Sequence, residues 1–148
     1  MTLKERITED MKAAMRARDS ERLGTIRMLQ AAIKQREVDE RVTLEDADVL
    51  AVIEKMIKQR KEAAAQYDAA GRTDLLDKES SEIELLKTYL PAQLTETELD
   101  ELIARAILES GAASLKDMGK AMAIVKRDAQ GRCDMASVSA RLKARLAS

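Results

Sequence analysis

The stretch Leu94-Thr95-Glu96-Thr97-Glu98-Leu99 marks the start of a helix more firmly than any other segment of the chain. Thr95 and Glu98 are spaced for a capping box, in which each side chain satisfies a backbone donor left unpaired at a helix end. Leu94 and Leu99 hold the two positions of a hydrophobic staple. The helix opened in this way runs through Leu99, Leu102, Ile103, Ala106 and Ile107 to Gly111. Beyond it, Ser114 is placed to cap a second helix with the stripe Leu115, Met118, Met122 and Val125, closed by Gly131. Asp134 is placed to cap a third, with Met135, Val138, Leu142 and Leu146 on its apolar face. Three short helices on short connections predict a compact bundle over residues 91–148.

Toward the N-terminus the pattern breaks at Pro91, the sole proline. The residue ahead of a proline disfavours the helical region, so a boundary between two domains, 1–90 and 91–148, is placed there. Upstream, a fourth helix begins around Arg72 to Asp74 and carries Leu75, Leu76, Ile83 and Leu86. A long helix precedes it, opened by Thr43 with Asp46 and ended by Gly71; about 26 residues give it a length of roughly 40 Å. Asp19 caps the second helix of the chain, with Leu23, Ile26, Leu29 and Ile33 inward. Thr2 and Glu5 form another capping box for the first, whose stripe is Leu3, Ile7, Met11 and Met15, ending near Arg18. No segment sustains the period-two alternation of a strand, so the predicted fold is all-α: an N-terminal helical subdomain with a long helix, then a three-helix bundle. Gly24 inside the second helix and Gly119 inside the sixth are read as points of close helix packing.

Absent residues narrow the chemistry. The chain of 148 residues has no His, Trp or Phe and one Cys. That removes Ser-His-Asp and Cys-His nucleophiles, His-bearing metal sites and most aromatic stacking platforms. No phosphate-cradling glycine loop is present. The paired acids Glu45, Asp46, Asp48 and Glu96, Glu98, Asp100, Glu101 fall in first turns, where negative charge complements the helix dipole, and are read as caps rather than metal ligands. Catalytic residues, metals and cofactors are accordingly expected to be none. A single cysteine, Cys133, read as structural, fits a reducing compartment, and the cytoplasm is the expectation. No run approaches the roughly 20 apolar residues of a membrane span.

Charge is uneven although the net value is −1. From Leu115 to Ser148 there are eight Lys or Arg against three Asp or Glu, which is +5, leaving −6 for the remainder. Lys116, Lys120, Lys126, Arg127 and Arg132 bracket one helix, and Arg141, Lys143 and Arg145 lie on the next. Such a face can hold phosphates, with Gly119 permitting close approach. A second run, Lys55, Lys58, Arg60 and Lys61, is interleaved with Glu54 and Glu62 and is expected to be solvated.

Asp117-Met118-Gly119-Lys120-Ala121-Met122, with Gly111-Ala112 before it and Gly131-Arg132-Cys133-Asp134 after it, resembles the tail domain of the GatB subunit of glutamine-dependent tRNA amidotransferase. Tyr89-Leu90-Pro91 with Gln93-Leu94-Thr95 is similar to the lead-in of that domain. Arg22-Leu23-Gly24-Thr25-Ile26-Arg27-Met28-Leu29, Lys58-Gln59-Arg60-Lys61 and Gly71-Arg72-Thr73-Asp74-Leu75 resemble the N-terminal region of YqeY proteins. The chain is identified as a member of the GatB/YqeY family over essentially its whole length. The resemblance implies a helical module that touches tRNA, with Lys116, Lys120, Lys126 and Arg132 as RNA contacts; Arg132 stands where the family pattern usually has lysine. It also carries the label of carbon-nitrogen ligase activity with glutamine as amido-N-donor, for which no residue here suffices alone. Three roles follow as expectations: a non-catalytic tRNA-directed module, an auxiliary of the amidotransferase subunits, and an adaptor that meets another protein through its N-terminal helices.

Overall fold

Side-chain caps open three of the helices in the computed structural model, which describes residues 1–147. The elements are α1 (Leu3–Ala17), α2 (Ser20–Glu40), α3 (Asp46–Ala69), α4 (Thr73–Lys87), α5 (Glu96–Ser110), a 3-10 turn (Leu115–Asp117), α6 (Met118–Ala129) and α7 (Met135–Ala147), with no strand among the described residues. The all-α expectation holds. Thr2 with Glu5 and Thr95 with Glu98 form reciprocal capping boxes, and Asp19 accepts the Arg22 amide. Thr43 does not open α3. Glu45 is the cap residue, and Asp48 accepts its amide at 3.1 Å. Asp46 reaches across instead to the Leu3 amide at 3.0 Å, serving α1. Gly71 and Gly111 follow α3 and α5 with φ +70°, a conformation that glycine adopts without a Cβ penalty.

Contacts divide the chain into one unit over Met1–Leu90 and another from Pro91 onward. The first unit is built on aliphatic side chains of all four helices, among them Ile7, Ile26, Leu29, Ile53 and Leu86, all at most 1% exposed. Glu37 fastens its open end: one carboxylate oxygen accepts from Lys4 Nζ at 2.6 Å and from the Leu44 amide at 2.8 Å. Those two hydrogen bonds hold its pKa below the ordinary carboxylate value. The second unit has its own core, centred on Ile103, Ala106, Ala121, Val125, Val138 and Leu142.

Within the first unit α3 packs most extensively on α4. Its buried stripe is Val49, Val52, Ile53, Met56, Ile57 and then Arg60. Lys55, Lys58 and Lys61 are exposed, as their pattern implies. Arg60 is not solvated: it is buried, and its Nε donates to Glu82 Oε2 on α4 at 2.8 Å. Nη1 reaches the Met56 carbonyl at 3.4 Å, and Nη2 the Met28 sulfur on α2 at 3.9 Å. The correction follows from spacing, since Arg60 continues the three-four rhythm of Ile53, Met56 and Ile57. Gly24 also departs from expectation. It is exposed, and a Cβ there would meet nothing within 4 Å, so packing inside the chain does not require it.

Tyr89 closes α4 onto α1. Its hydroxyl donates to Asp10 Oδ2 at 2.6 Å, and the Arg6 guanidinium lies 4.9 Å from its ring centre while donating to the Thr88 carbonyl at 2.9 Å. The ring is 3% exposed. Burial first, and the Asp10 carboxylate second, raise the phenol pKa above its ordinary 10.0.

Two outcomes follow. Arg60→Met leaves the Glu82 carboxylate buried without a partner and should cost about 3–5 kcal/mol in urea unfolding, whereas Arg60→Met with Glu82→Leu should recover most of it. A phenol whose folded pKa is raised contributes stability that is full below its unfolded value and declines as pH rises past it. Urea midpoints between about pH 8 and about pH 11 should therefore fall more steeply for the native chain than for Tyr89→Phe, which should lose about 1.5–3 kcal/mol at neutral pH.

Candidate nucleic-acid interface

The turn between α5 and α6 is built by local hydrogen bonds. The Ala112 amide donates to the Ile107 carbonyl at 3.2 Å and to Ser110 Oγ at 3.3 Å. Ser114 leads into the 3-10 turn rather than capping a helix by its side chain, and Leu115, expected on the core stripe, is 46% exposed there. The short turn displaces the start of α6 to Met118. Asp117 directs its carboxylate back to the Ala113 amide at 3.0 Å, so α6 begins with no side-chain cap. The Leu115 carbonyl of the 3-10 turn accepts the Met118 amide, and no side-chain oxygen caps the amides that follow it. Gly119 lies in this first turn, exposed, and a Cβ on it would meet nothing within 4 Å. Packing against a neighbouring helix, the expectation for Gly119, is absent.

Lys116 and Lys120 stand at this helix start, both exposed. Lys126 is exposed on α6, but six residues at 3.6 per turn place it about 120° around the helix from Lys120. Arg132 is half-buried and has a task in the fold. Its Nε donates to the Ala92 carbonyl at 3.1 Å, and its own carbonyl accepts the Leu94 amide at 2.8 Å. Gln93 Nε2 adds a bond to the Gly131 carbonyl at 2.8 Å. The segment after Pro91 is thereby sewn to the turn between α6 and α7. The structure brings Lys116 and Lys120 to one place, sets Lys126 apart, and ties Arg132 into the scaffold.

Ion pairing trims the basic excess. Arg127 pairs with Asp128 at 2.8 Å and Glu109 at 3.3 Å, and Arg141 with Asp100 at 2.7 Å and with Glu96. Both guanidinium pKa values are pushed up by these hydrogen bonds. Among the described residues Lys116, Lys120, Lys126 and Lys143 have no ion pair. No group of three or more His, Cys, Asp or Glu among them could hold a metal ion.

The first unit contains a cleft of about 300 Å³ that sequence reasoning did not find. Arg22, Thr25, Lys78, Ser81 and Glu82 line it together with Asp19, Glu21 and Leu85. The family blocks 22–29 and 58–61 meet through the Arg60 guanidinium and the Met28 sulfur at 3.9 Å, and Glu82 on the cleft wall pairs with the same guanidinium. Charges of both signs on its wall leave no net pull on an anion.

A family model described as Yqey-like protein matches residues 4–146. Among curated proteins, the chain is 32% identical to altered inheritance of mitochondria protein 41 of Pyrenophora tritici-repentis over 127 residues, covering 82% of this chain and 70% of that protein. Against the protein of the same name from Lachancea thermotolerans, identity is 36% over 70% of this chain and 57% of the relative. For that of Eremothecium gossypii it is 37% over 68% and 55%. The chain therefore spans between about half and two thirds of the length of most such relatives. These relatives are named mitochondrial proteins, which overturns the cytoplasmic expectation. A lone thiol separates reducing compartments from oxidising ones and does not tell one reducing compartment from another. Among the described residues no helix is long and apolar enough to cross a membrane.

Arg132→Ala should cost about 0.5–1.5 kcal/mol in thermal or urea unfolding through the lost bond to Ala92, whereas Lys120→Ala should stay within about 0.5 kcal/mol. Equal stability of the two variants would show the Ala92 bond to be without consequence.

Proposed function

The chain belongs to the YqeY-like family, and from that premise we propose that its C-terminal unit is a non-catalytic module that docks on folded RNA, tRNA in the first instance. The observation that carries the reading is the start of α6: a helix N-terminus without a side-chain cap, open space over Gly119, and Lys116 and Lys120 beside it. Backbone dipole and two cations favour a phosphate group, and the missing Cβ lets a bulky nucleotide backbone come close. Lys126 on a different edge of the helix supplies a further contact to an extended ligand. Tyr67 and Tyr89 are the only aromatic side chains and both lie before Pro91. Recognition therefore rests on phosphates and shape rather than on base stacking. Chemistry on the RNA would come from another protein, as the absence of His from the chain suggests.

Fluorescence anisotropy with unfractionated tRNA across a salt series, with duplex DNA as the comparison, tests the proposal. Three neutralised phosphates give a slope of log affinity against log salt of roughly −2 to −3. Lys116→Ala with Lys120→Ala should bring it to about −1, since each lost phosphate contact removes about one unit. Gly119→Leu should weaken binding at every salt concentration without changing the slope. Absence of RNA binding at low salt, or an unchanged slope in the double variant, would overturn the assignment.

A further inference from the structure

α2 carries a second apolar face. Its inner face buries Thr25, Ile26, Leu29 and Ile33. On the other side Gly24, Met28, Ala31, Gln35 and Val38 follow one another at alternating spacings of four and three; Met28 lies at the border, half exposed while its sulfur meets the Arg60 guanidinium at 3.9 Å. That alternation is the seam of a coiled coil, which is how one helix presents a narrow stripe to another. Every member of the series is exposed, Met28 at 48% and Val38 at 59%. Gly24 has no packing reason within the chain, yet a glycine in an exposed helix interior is unfavourable relative to alanine. A helix arriving from outside would use that space for close backbone approach.

The edge of the seam identifies what arrives. Arg27 and Lys34 lie one heptad apart along it, and Arg41 stands at its end. None of the three has an ion pair among the described residues, although Arg36 on the same helix pairs with Glu40 and Asp48, and Lys4 with Glu37. A second copy of this chain fits poorly. Antiparallel pairing sets Arg27 and Lys34 against the same cations. Parallel pairing faces Arg27 with Ala32 and offers Lys34 only Asp39, which already accepts from Gln35 at 2.9 Å. We propose that the outer face of α2 docks an amphipathic helix of a partner protein whose apolar stripe is flanked by acidic side chains. This surface belongs to the unit that precedes Pro91, and the proposal does not rest on RNA binding.

The test uses the full chain and two fluorescein-labelled synthetic helices of three heptads, with Leu at the seam positions and either Glu or Lys at the flanks. The Glu-flanked helix should bind at least about tenfold tighter than the Lys-flanked one, less so as salt rises. Ala31→Glu with Val38→Glu, substitutions at exposed positions that leave the circular dichroism unchanged, should weaken it by at least about tenfold, and so should Gly24→Leu. Lys116→Ala with Lys120→Ala should leave it unaltered. Equal binding of the two peptides, or insensitivity to the α2 substitutions, would overturn the proposal. So would a dimer in sedimentation that Ala31→Glu dissolves, which would assign the face to a second copy. Loss of tRNA binding in Arg27→Ala with Lys34→Ala, without any peptide binding, would assign it to nucleic acid.

Discussion

The N-terminal unit turns on one guanidinium. Arg60 leaves water because the rhythm of α3 carries it inward, and a buried charge is tolerable only when it is paired and hydrogen-bonded. Glu82 supplies the counter-charge from α4, the Met56 carbonyl a turn earlier accepts from α3 itself, and the Met28 sulfur closes the shell from α2. Three helices are thereby fixed in axial register at a single point. Apolar contacts alone leave that register soft, because aliphatic side chains can slide by a fraction of a turn at small cost. The cleft beside Glu82 and the outer stripe of α2 both take their position from this arrangement.

Much of the fold is legible in the chain because its helix ends are written in side chains. Thr2 with Glu5, Thr95 with Glu98, and Gly111 mark boundaries that the structure reproduces. Where a residue had a competing partner the reading failed. Asp46 spends its carboxylate on the Leu3 amide of another helix, and Ser114 makes no side-chain cap bond because a 3-10 turn intervenes, so neither follows its apparent local role. Local spacing cannot reveal a bond formed across 43 positions. Arg60 was legible by position but disguised by its neighbours, since Lys58 and Lys61 make it look like part of a solvated run.

The basic character of the C-terminal segment is also less than its count implies. Arg127 and Arg141 are spent on carboxylates of α5 and on Asp128, and Arg132 holds the lead-in segment. What stays uncommitted is mostly lysine, a compact and strongly hydrated cation suited to phosphate contacts without a fixed geometry. Sequence alone identified the cations, but which of them remain available is a property of packing. The two glycines expected to lie against neighbouring helices show the same limit: Gly24 and Gly119 both face open space.

The setting of Tyr89 has an optical consequence. With no Trp or Phe, the near-ultraviolet absorbance and intrinsic emission of the chain come from Tyr67 and Tyr89 alone, both within residues 1–90. Tyr89 is held against a carboxylate, a neighbour that quenches phenol emission, so its release on unfolding brightens the signal. A fluorescence melt is then a melt of the N-terminal unit. The C-terminal helices are silent in that window and reveal their unfolding only through the peptide bands of the far ultraviolet.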